Sequence, residues 1–268
     1  MLNELEEIFS EVRKTLLQER EKLLEEVRNN PKGEMSYRFD LKAEEILIDY
    51  CKKRLDFPVR ILSEERGHLT TKEGKAKYII VVDPVDGSTN FKRGIEASGF
   101  SVAVLSAEKP LAVQNVEFGL VGNLFTGSVC KAGKGKGCYF NGKRMQTRKG
   151  IELEKAIICL DTDATQSEKN ARYQRLMKTV AGIRRLGSST LEATSVAIGA
   201  SDAHVDVRDE LTPENFMATY LLVREAGGVF TNGKGEELPE IESMTDKFNI
   251  VAAGNKELHE KILSLLDF

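Results

Sequence analysis

The stretch Tyr78-Ile79-Ile80-Val81-Val82-Asp83-Pro84-Val85-Asp86-Gly87-Ser88-Thr89-Asn90-Phe91 decides how this chain is read. Its first five residues form an unbroken apolar run, which predicts a buried strand. Pro84 has no N–H to give, so the ladder is expected to stop there in a turn. Asp83 and Asp86 would then project from a strand end. Gly87 lets the backbone approach a ligand, and Ser88, Thr89 and Asn90 are residues that start helices. Carboxylates beside a helix start suit a divalent cation and a phosphate sharing one pocket. An acidic strand-to-turn connection without any ligand would contain the same two aspartates, so the rest of the chain has to decide.

On the N-terminal side, apolar residues at helical spacing predict a long amphipathic helix over 2–29, ended by Asn29-Asn30-Pro31, and a second helix over 41–55. Strands are expected at 59–62 and 78–82, then at 98–106, 111–118 and 124–130 as an antiparallel meander. Gly133-Lys134-Gly135-Lys136-Gly137 reads as turns, because it lacks the spacing of a phosphate-binding P-loop. Beyond about residue 150 the texture changes. Strands at 156–160, 184–186, 203–207 and 250–253 alternate with helices at 167–181, 188–199, 214–226 and 256–266. That alternation predicts an α/β half with a mixed or parallel sheet. The polar segment 231–247 is expected to be the most mobile. Two packed subdomains follow: 1–145, α+β and metal-binding, and 146–268, α/β and completing the site.

The 268 residues can bury a substantial core, and 41% hydrophobic with 30% charged residues is ordinary for a globular protein. A net charge of −3 argues against nucleic acid as a partner. No apolar run reaches membrane-spanning length, and the charged start of the chain does not read as an export signal, so a cytoplasmic protein is expected. Cys51, Cys130, Cys138 and Cys159 form no C-x-x-C pair and read as reduced thiols, with Cys130 and Cys138 able to meet across a hairpin.

Further carboxylates stand where they could join Asp83 and Asp86. Glu64 and Glu65 follow Ile61-Leu62-Ser63 at another strand end, and Asp40 stands where it could instead cap the second helix. Asp209, Glu210, Glu214 and Asn215 are the C-terminal candidates. Taken in order, Ser63-Glu64-Glu65, Asp83-Pro84-Val85-Asp86-Gly87-Ser88-Thr89-Asn90-Phe91 and Glu225-Ala226-Gly227-Gly228 resemble the signatures of the inositol monophosphatase family. That family includes the dual fructose-1,6-bisphosphatase/inositol monophosphatases of archaea. The D-P-x-D-G-[ST]-x-N-F signature is specific, whereas E-A-G-G alone is weak. Gly187-Ser188 and Gly199 fall in order before the last motif.

The resemblance implies a layered α-β-α-β-α sandwich, usually a homodimer, that hydrolyses small sugar or cyclitol phosphates with two or three Mg²⁺ ions, Mn²⁺ substituting. It implies that Glu64, Asp83, Asp86 and the Val85 carbonyl are metal ligands. Asp40 and Ser88, with Glu64, prepare the attacking water, and the Asp86-Gly87-Ser88 segment holds phosphate. Such an ester is close to dianionic and repels nucleophiles, so hard cations must gather around it. One departure matters: the family's last metal-binding Asp falls on Asn215. Its carbonyl could serve as a neutral ligand, Glu214 could take over, or catalysis could be impaired; the neutral ligand is the expectation carried forward. Arg185, Gly187, Ser188 and Arg208 are expected near the substrate. A guanidinium at 208 suits a second phosphate, which tilts the reading toward fructose 1,6-bisphosphate, although an ion pair with Asp206 or Asp209 would explain it too. Arg184, Lys92 and Arg93 are further anion-binding candidates.

Three rival readings remain. A haloacid-dehalogenase-type phosphatase needs carboxylates two residues apart, not three. A 3′-phosphoadenosine nucleotide phosphatase needs an adenine slot. A non-catalytic phosphosugar- or metal-binding regulator is motivated by Asn215.

Overall fold

In the computed structural model, which describes residues 1–33, 35–162 and 170–266, the apolar run becomes a strand buried on both faces. Ile80 and Val82 point into one core together with α1 (Leu2–Gln18) and α2 (Arg38–Arg54). Ile79 and Val81 point into another. Burial on both sides is why the run is continuous and does not alternate with polar residues.

This central strand, β5 (Tyr78–Asp86), belongs to an eight-stranded sheet ordered β10-β9-β8-β7-β6-β5-β3-β4. Its other members are β3 (Val59–Ser63), β4 (Gly67–Thr70), β6 (Gly99–Ser106), β7 (Val116–Asn123), β8 (Val129–Gly133), β9 (Gly137–Phe140) and β10 (Lys143–Met145). A two-stranded ribbon, β1 (Glu26–Asn29) with β2 (Met35–Tyr37), stands apart. The second sheet is mixed, in the order β12-β11-β13-β15-β14: β11 (Ile157–Leu160), β12 (Gly182–Arg184) and β13 (Ala203–Leu211) run parallel, with β14 (Val229–Thr231) and β15 (Phe248–Ala253) antiparallel to their neighbours.

Helices α5 (Ser189–Ala197) and α6 (Met217–Glu225) fill the space between the sheets. The outer face of the second sheet is covered by α4 (Gln174–Thr179) and α7 (Lys256–Leu263). The layers are therefore α-β-α-β-α, as the family resemblance implies.

Several elements differ from the sequence expectation. The first helix ends at Gln18, and 26–29 is a strand. The turn from Asn30 to Gly33, with Gly33 at φ +87°, folds that strand back on β2, so the backbone finds its partners in a ribbon and Val27 is left exposed. Strand β5 does not stop at Pro84. Its pairing with β6 shifts register between Asp83 and Asp86, a bulge that accommodates the missing N–H. Residues 113–115 form a 3₁₀ turn after Pro110, which moves the next two meander strands to 116–123 and 129–133. Segment 231–247 is anchored, not loose: Leu238, Ile241 and Met244 are core residues, and the Ile241 N–H donates to the Leu111 carbonyl at 2.8 Å. The helix expected over 167–181 is described only in its later part, because 163–169 lie outside the described residues.

The Gly-rich turns join β8 to β9. The Glu225 carboxylate of the E-A-G-G segment accepts the Gly135 and Gly137 N–H groups, each at 2.7 Å. On the same hairpin Cys130 and Cys138 approach to 3.4 Å between sulfurs, both buried and free.

Helix α1 docks where β7 carries Gly122, because a Cβ there would lie 2.4 Å from the Phe9 ring. Gly122→Ala should therefore push α1 off the sheet and lower stability by about 1–3 kcal/mol. Denaturant unfolding measures it, and an unchanged midpoint would show that Phe9 can swing aside freely.

Candidate active site

Two parallel strands bring the acidic segments together. Register between β3 and β5 pairs Ser63 with Val82, so the next residues, Glu64 and Asp83, come side by side where β3 ends and β5 goes on paired only to β6. That is where parallel sheets present ligand sites. The bulge then returns Asp86 to face Gly99. Glu64, Asp83, Val85, Asp86, Gly87, Ser88 and Asn215 all line one polar cavity of about 240 Å³. Lys32, Glu210, Thr212 and Lys247 complete its wall.

Each carboxylate is held differently. Asp86 Oδ2 accepts three hydrogen bonds, from Ser188 Oγ (2.6 Å), Thr190 N–H (2.7 Å) and Thr190 Oγ1 (2.6 Å). Gly99 makes room for this clasp, since a Cβ on it would lie 2.6 Å from Thr190 Oγ1. Asp83 Oδ1 accepts the Val85 N–H at 3.1 Å. Asp40 is buried at the start of α2, where Oδ2 accepts the Tyr37 N–H (2.8 Å) and Oδ1 faces Ser88 Oγ (3.2 Å). Ser88 Oγ also lies 2.9 Å from the Val85 carbonyl oxygen. Asp40 thus caps its helix with one oxygen and meets Ser88 with the other. Glu65 does not line the cavity and accepts from Ser36 Oγ.

Gly87, at φ +85°, opens α3 (Ser88–Arg93), and a Cβ on it would lie 2.8 Å from the Gly187 carbonyl oxygen. Only a glycine allows that close crossing of two backbones. Asn90 ties the crossing by donating to the carbonyls of Ala97 (2.8 Å) and Leu186 (2.7 Å). Glu192, fully buried, fixes the Gly187 turn by accepting its N–H at 3.0 Å.

Asn215 does not offer its carbonyl to the cavity. Its Oδ1 accepts from the Thr212 N–H (3.1 Å) and lies 3.0 Å from Thr212 Oγ1, while its Nδ2 donates to Asp83 Oδ2 (3.0 Å). The backbone N–H fixes which way round the amide lies, so the neutral-ligand expectation is not what the geometry presents. Glu214 is buried against Lys32. Arg208 is gripped by its neighbour Asp206 through Nε (2.9 Å) and Nη2 (2.5 Å) and lies 3.8 Å from Asp161, and Arg185 lies 3.7 Å from Asp161. Neither lines the cavity. Asp209 engages Arg172 and Asn249, and Lys92 engages Glu26 and Tyr37.

A second buried cluster, unforeseen from the sequence, lies behind this wall. His204 Nε2 is 3.1 Å from Asp161 Oδ2 and 3.4 Å from Glu192 Oε2. Burial alone would lower the imidazole's pKa, but the two carboxylates outweigh it and raise it well above its ordinary value. Three acids (Asp161, Glu192, Asp206) then balance three bases (His204, Arg208, Arg185), so the cluster has no surplus charge for a metal to neutralise.

The cavity is the opposite case. Burial raises the pKa of Asp83 well above normal, and the charges of Glu64 and Asp86 raise it further. Burial also raises Asp86, against the pull of Ser188 and Thr190, and lifts Glu64 to about 8 against the pull of Lys32. Asp40 is raised by burial and then by Glu65. Glu214 Oε2 is buried with no hydrogen-bond partner. Hard oxygen donors crowded until they resist ionisation are what a divalent cation would relieve, so the residues present fit one.

The inositol monophosphatase family model matches residues 2–268. The chain belongs to the inositol monophosphatase family. A fructose-1,6-bisphosphatase/inositol-1-monophosphatase from Methanothermobacter thermautotrophicus is 35% identical over 233 residues, covering 85% of this chain and 82% of that protein. A protein of the same description from Thermococcus kodakarensis is 33% identical over 242 residues, covering 90% and 87%. The solved structure of an inositol monophosphatase-fructose 1,6-bisphosphatase superposes with a TM-score of 0.84 at 30% identity, covering 98% of each chain. Of the family signatures quoted from the sequence, Ser63-Glu64-Glu65 and Asp83–Phe91 supply residues to this cavity, whereas Glu225-Ala226-Gly227-Gly228 braces the β8–β9 turn. Among the described residues, no helix is long and apolar enough to cross a membrane.

The raised carboxyls fix the sign of a pH effect. Groups whose folded pKa lies above the unfolded one hold protons that unfolding releases, so metal-free stability is greatest below about pH 4 for these groups and declines as pH rises through their folded values. A bound divalent cation removes that decline by favouring the ionised forms. The thermal shift that an added divalent cation produces should therefore widen between about pH 5 and pH 8. A shift independent of pH would disconnect the cavity from metal binding.

Proposed function

We propose that this chain is a Mg²⁺-dependent phosphatase of small sugar and cyclitol phosphates, fructose 1,6-bisphosphate and inositol 1-phosphate foremost, in which water attacks phosphorus directly. One observation carries it: Glu64, Asp83 and Asp86 converge on a single cavity beside the Asp40–Ser88 pair. Glu64, Asp83, Asp86 and the Val85 carbonyl would hold the metal. When bound, the metal supplies positive charge to the phosphoryl oxygens and makes water more acidic. Mn²⁺ has the same donor preferences.

The chain's own residues do the rest. Ser88 Oγ stands between the Val85 carbonyl and Asp40 Oδ1, so it can pass a proton from water to Asp40. The raised pKa of Asp40 makes it a better resting place for that proton than an exposed carboxylate. The close crossing at Gly87 keeps side chains from the space a phosphate would fill, while Ser188 and Thr190 hold Asp86 still by occupying one of its oxygens. Arg208, engaged by Asp206, is not free to bind a second phosphate. Lys247, half-exposed on the cavity wall and 4.0 Å from Glu210 Oε2, is the better placed cation. A cytoplasmic homodimer, as the family resemblance implies, belongs to the same proposal.

The test is Mg²⁺-dependent phosphate release from fructose 1,6-bisphosphate, inositol 1-phosphate and 3′-phosphoadenosine 5′-phosphate. Turnover of the first two with little of the third supports the reading, and binding without turnover on any would favour a regulatory protein. Asp86→Asn should cost at least ~100-fold in kcat with the fold retained, since losing even an outer partner of a metal ligand costs 10–100-fold. Lys247→Ala should raise KM for fructose 1,6-bisphosphate more than for inositol 1-phosphate, and equal changes would remove Lys247 from substrate recognition.

A further inference from the structure

The cavity carries a cation of its own. Lys32 sits in the turn between β1 and β2, where the Gly33 N–H closes back on the Asn30 carbonyl at 2.9 Å. Its side chain is 8% exposed. The ammonium has three N–H donors, and all three meet oxygens of the cage: Glu64 Oε1 (3.0 Å), Thr212 Oγ1 (2.8 Å) and Glu214 Oε1. Glu214 in turn has a side chain 0% exposed, and among the described residues its hydrogen-bond donors are Lys32 and Thr212 Oγ1. An isolated buried carboxylate would be strongly destabilising, so Glu214 and Lys32 require each other.

A carboxylate from each of two segments and a neutral oxygen between them is also a corner that a hard divalent cation would accept. We propose that the Lys32 ammonium stands in for one divalent cation of this cluster, so the chain binds one metal ion fewer than its carboxylates could hold. The inference rests on the phosphatase reading of the site. Asn215 supports it independently. At the position next to Asp83 it presents an amide N–H, a positive dipole end, where an ionised group would ask for a further metal. The positive charge at this corner is covalent and permanent; it cannot be titrated out by chelators or leave with product.

The experiment counts bound Mn²⁺ per chain by equilibrium dialysis with atomic absorption, on the full chain and on Lys32→Met. Lys32→Met should bind one Mn²⁺ more per chain than the wild type, and Lys32→Arg should keep the wild-type number. Equal counts in the wild type and Lys32→Met overturn the inference while leaving the phosphatase reading intact. No Mn²⁺ bound by either, with or without inorganic phosphate, overturns the phosphatase reading itself. If Lys32→Met is unfolded without metal, refolding on addition of Mn²⁺ supports the inference. Remaining unfolded in excess Mn²⁺ overturns it, because a divalent ion then cannot occupy the vacated corner.

Discussion

Parallel pairing of β3 with β5 is the constraint from which the site follows. Once Ser63 is opposite Val82, the next residue of each strand is acidic, and neither can leave without breaking a register fixed by two buried faces. A slip of one residue would exchange every core side chain for its neighbour, so the apolar run that builds the core also forces Glu64 and Asp83 together. Packing therefore imposes the electrostatic repulsion. A divalent cation is what would relieve that repulsion.

The second constraint is that the site is shared between the two sheets. Asp86 comes from the first sheet, but its Oδ2 is gripped by Ser188 and Thr190, which lead into α5 between the layers. Gly87 and Gly187 cross nearly in contact, and Asn90 ties the crossing from the other side. Behind it, Glu192 holds the Gly187 turn and faces His204. A charge-balanced buried network thus supports the turn that crosses Gly87. Such a network is costly to break by removing one partner, which keeps the turn in one place.

Much of this was legible in the sequence, and the failures have physical causes. Continuous or alternating apolar runs located the buried strands, because a two-faced strand can be read from its own residues. Asp83, Asp86 and Glu64 were legible because their spacing to a strand end is local. What could not be read was long-range pairing. Nothing near Lys32 announces Glu64 and Glu214, which lie in other layers; its Asn-Pro-Lys-Gly context signals only a turn. For Arg208 the sequence left a second-phosphate fork and an ion pair with Asp206 or Asp209 side by side, and only the pairing at the bulged strand end decides for Asp206. The helix expected through residue 29 failed because heptad-like spacing persists after the core it would face has ended, and Val27 has nothing to pack against.

Asn215, Glu214 and Lys32 make sense only as a set. An amide in place of a carboxylate removes a negative charge beside Asp83, while a buried Glu at the preceding position returns one. That Glu would be intolerable alone, and the ammonium of Lys32 neutralises it from a distant turn. Burial tends to strip the proton from such a lysine, but Glu64 and Glu214 outweigh that tendency and hold it charged. Charge has thus moved from the metal to the chain without emptying the corner. A lysine on a hairpin turn is positioned by the fold, whereas a metal is positioned by concentration. The corner is filled whatever the metal supply, at the expense of the water-acidifying power that only a dication brings.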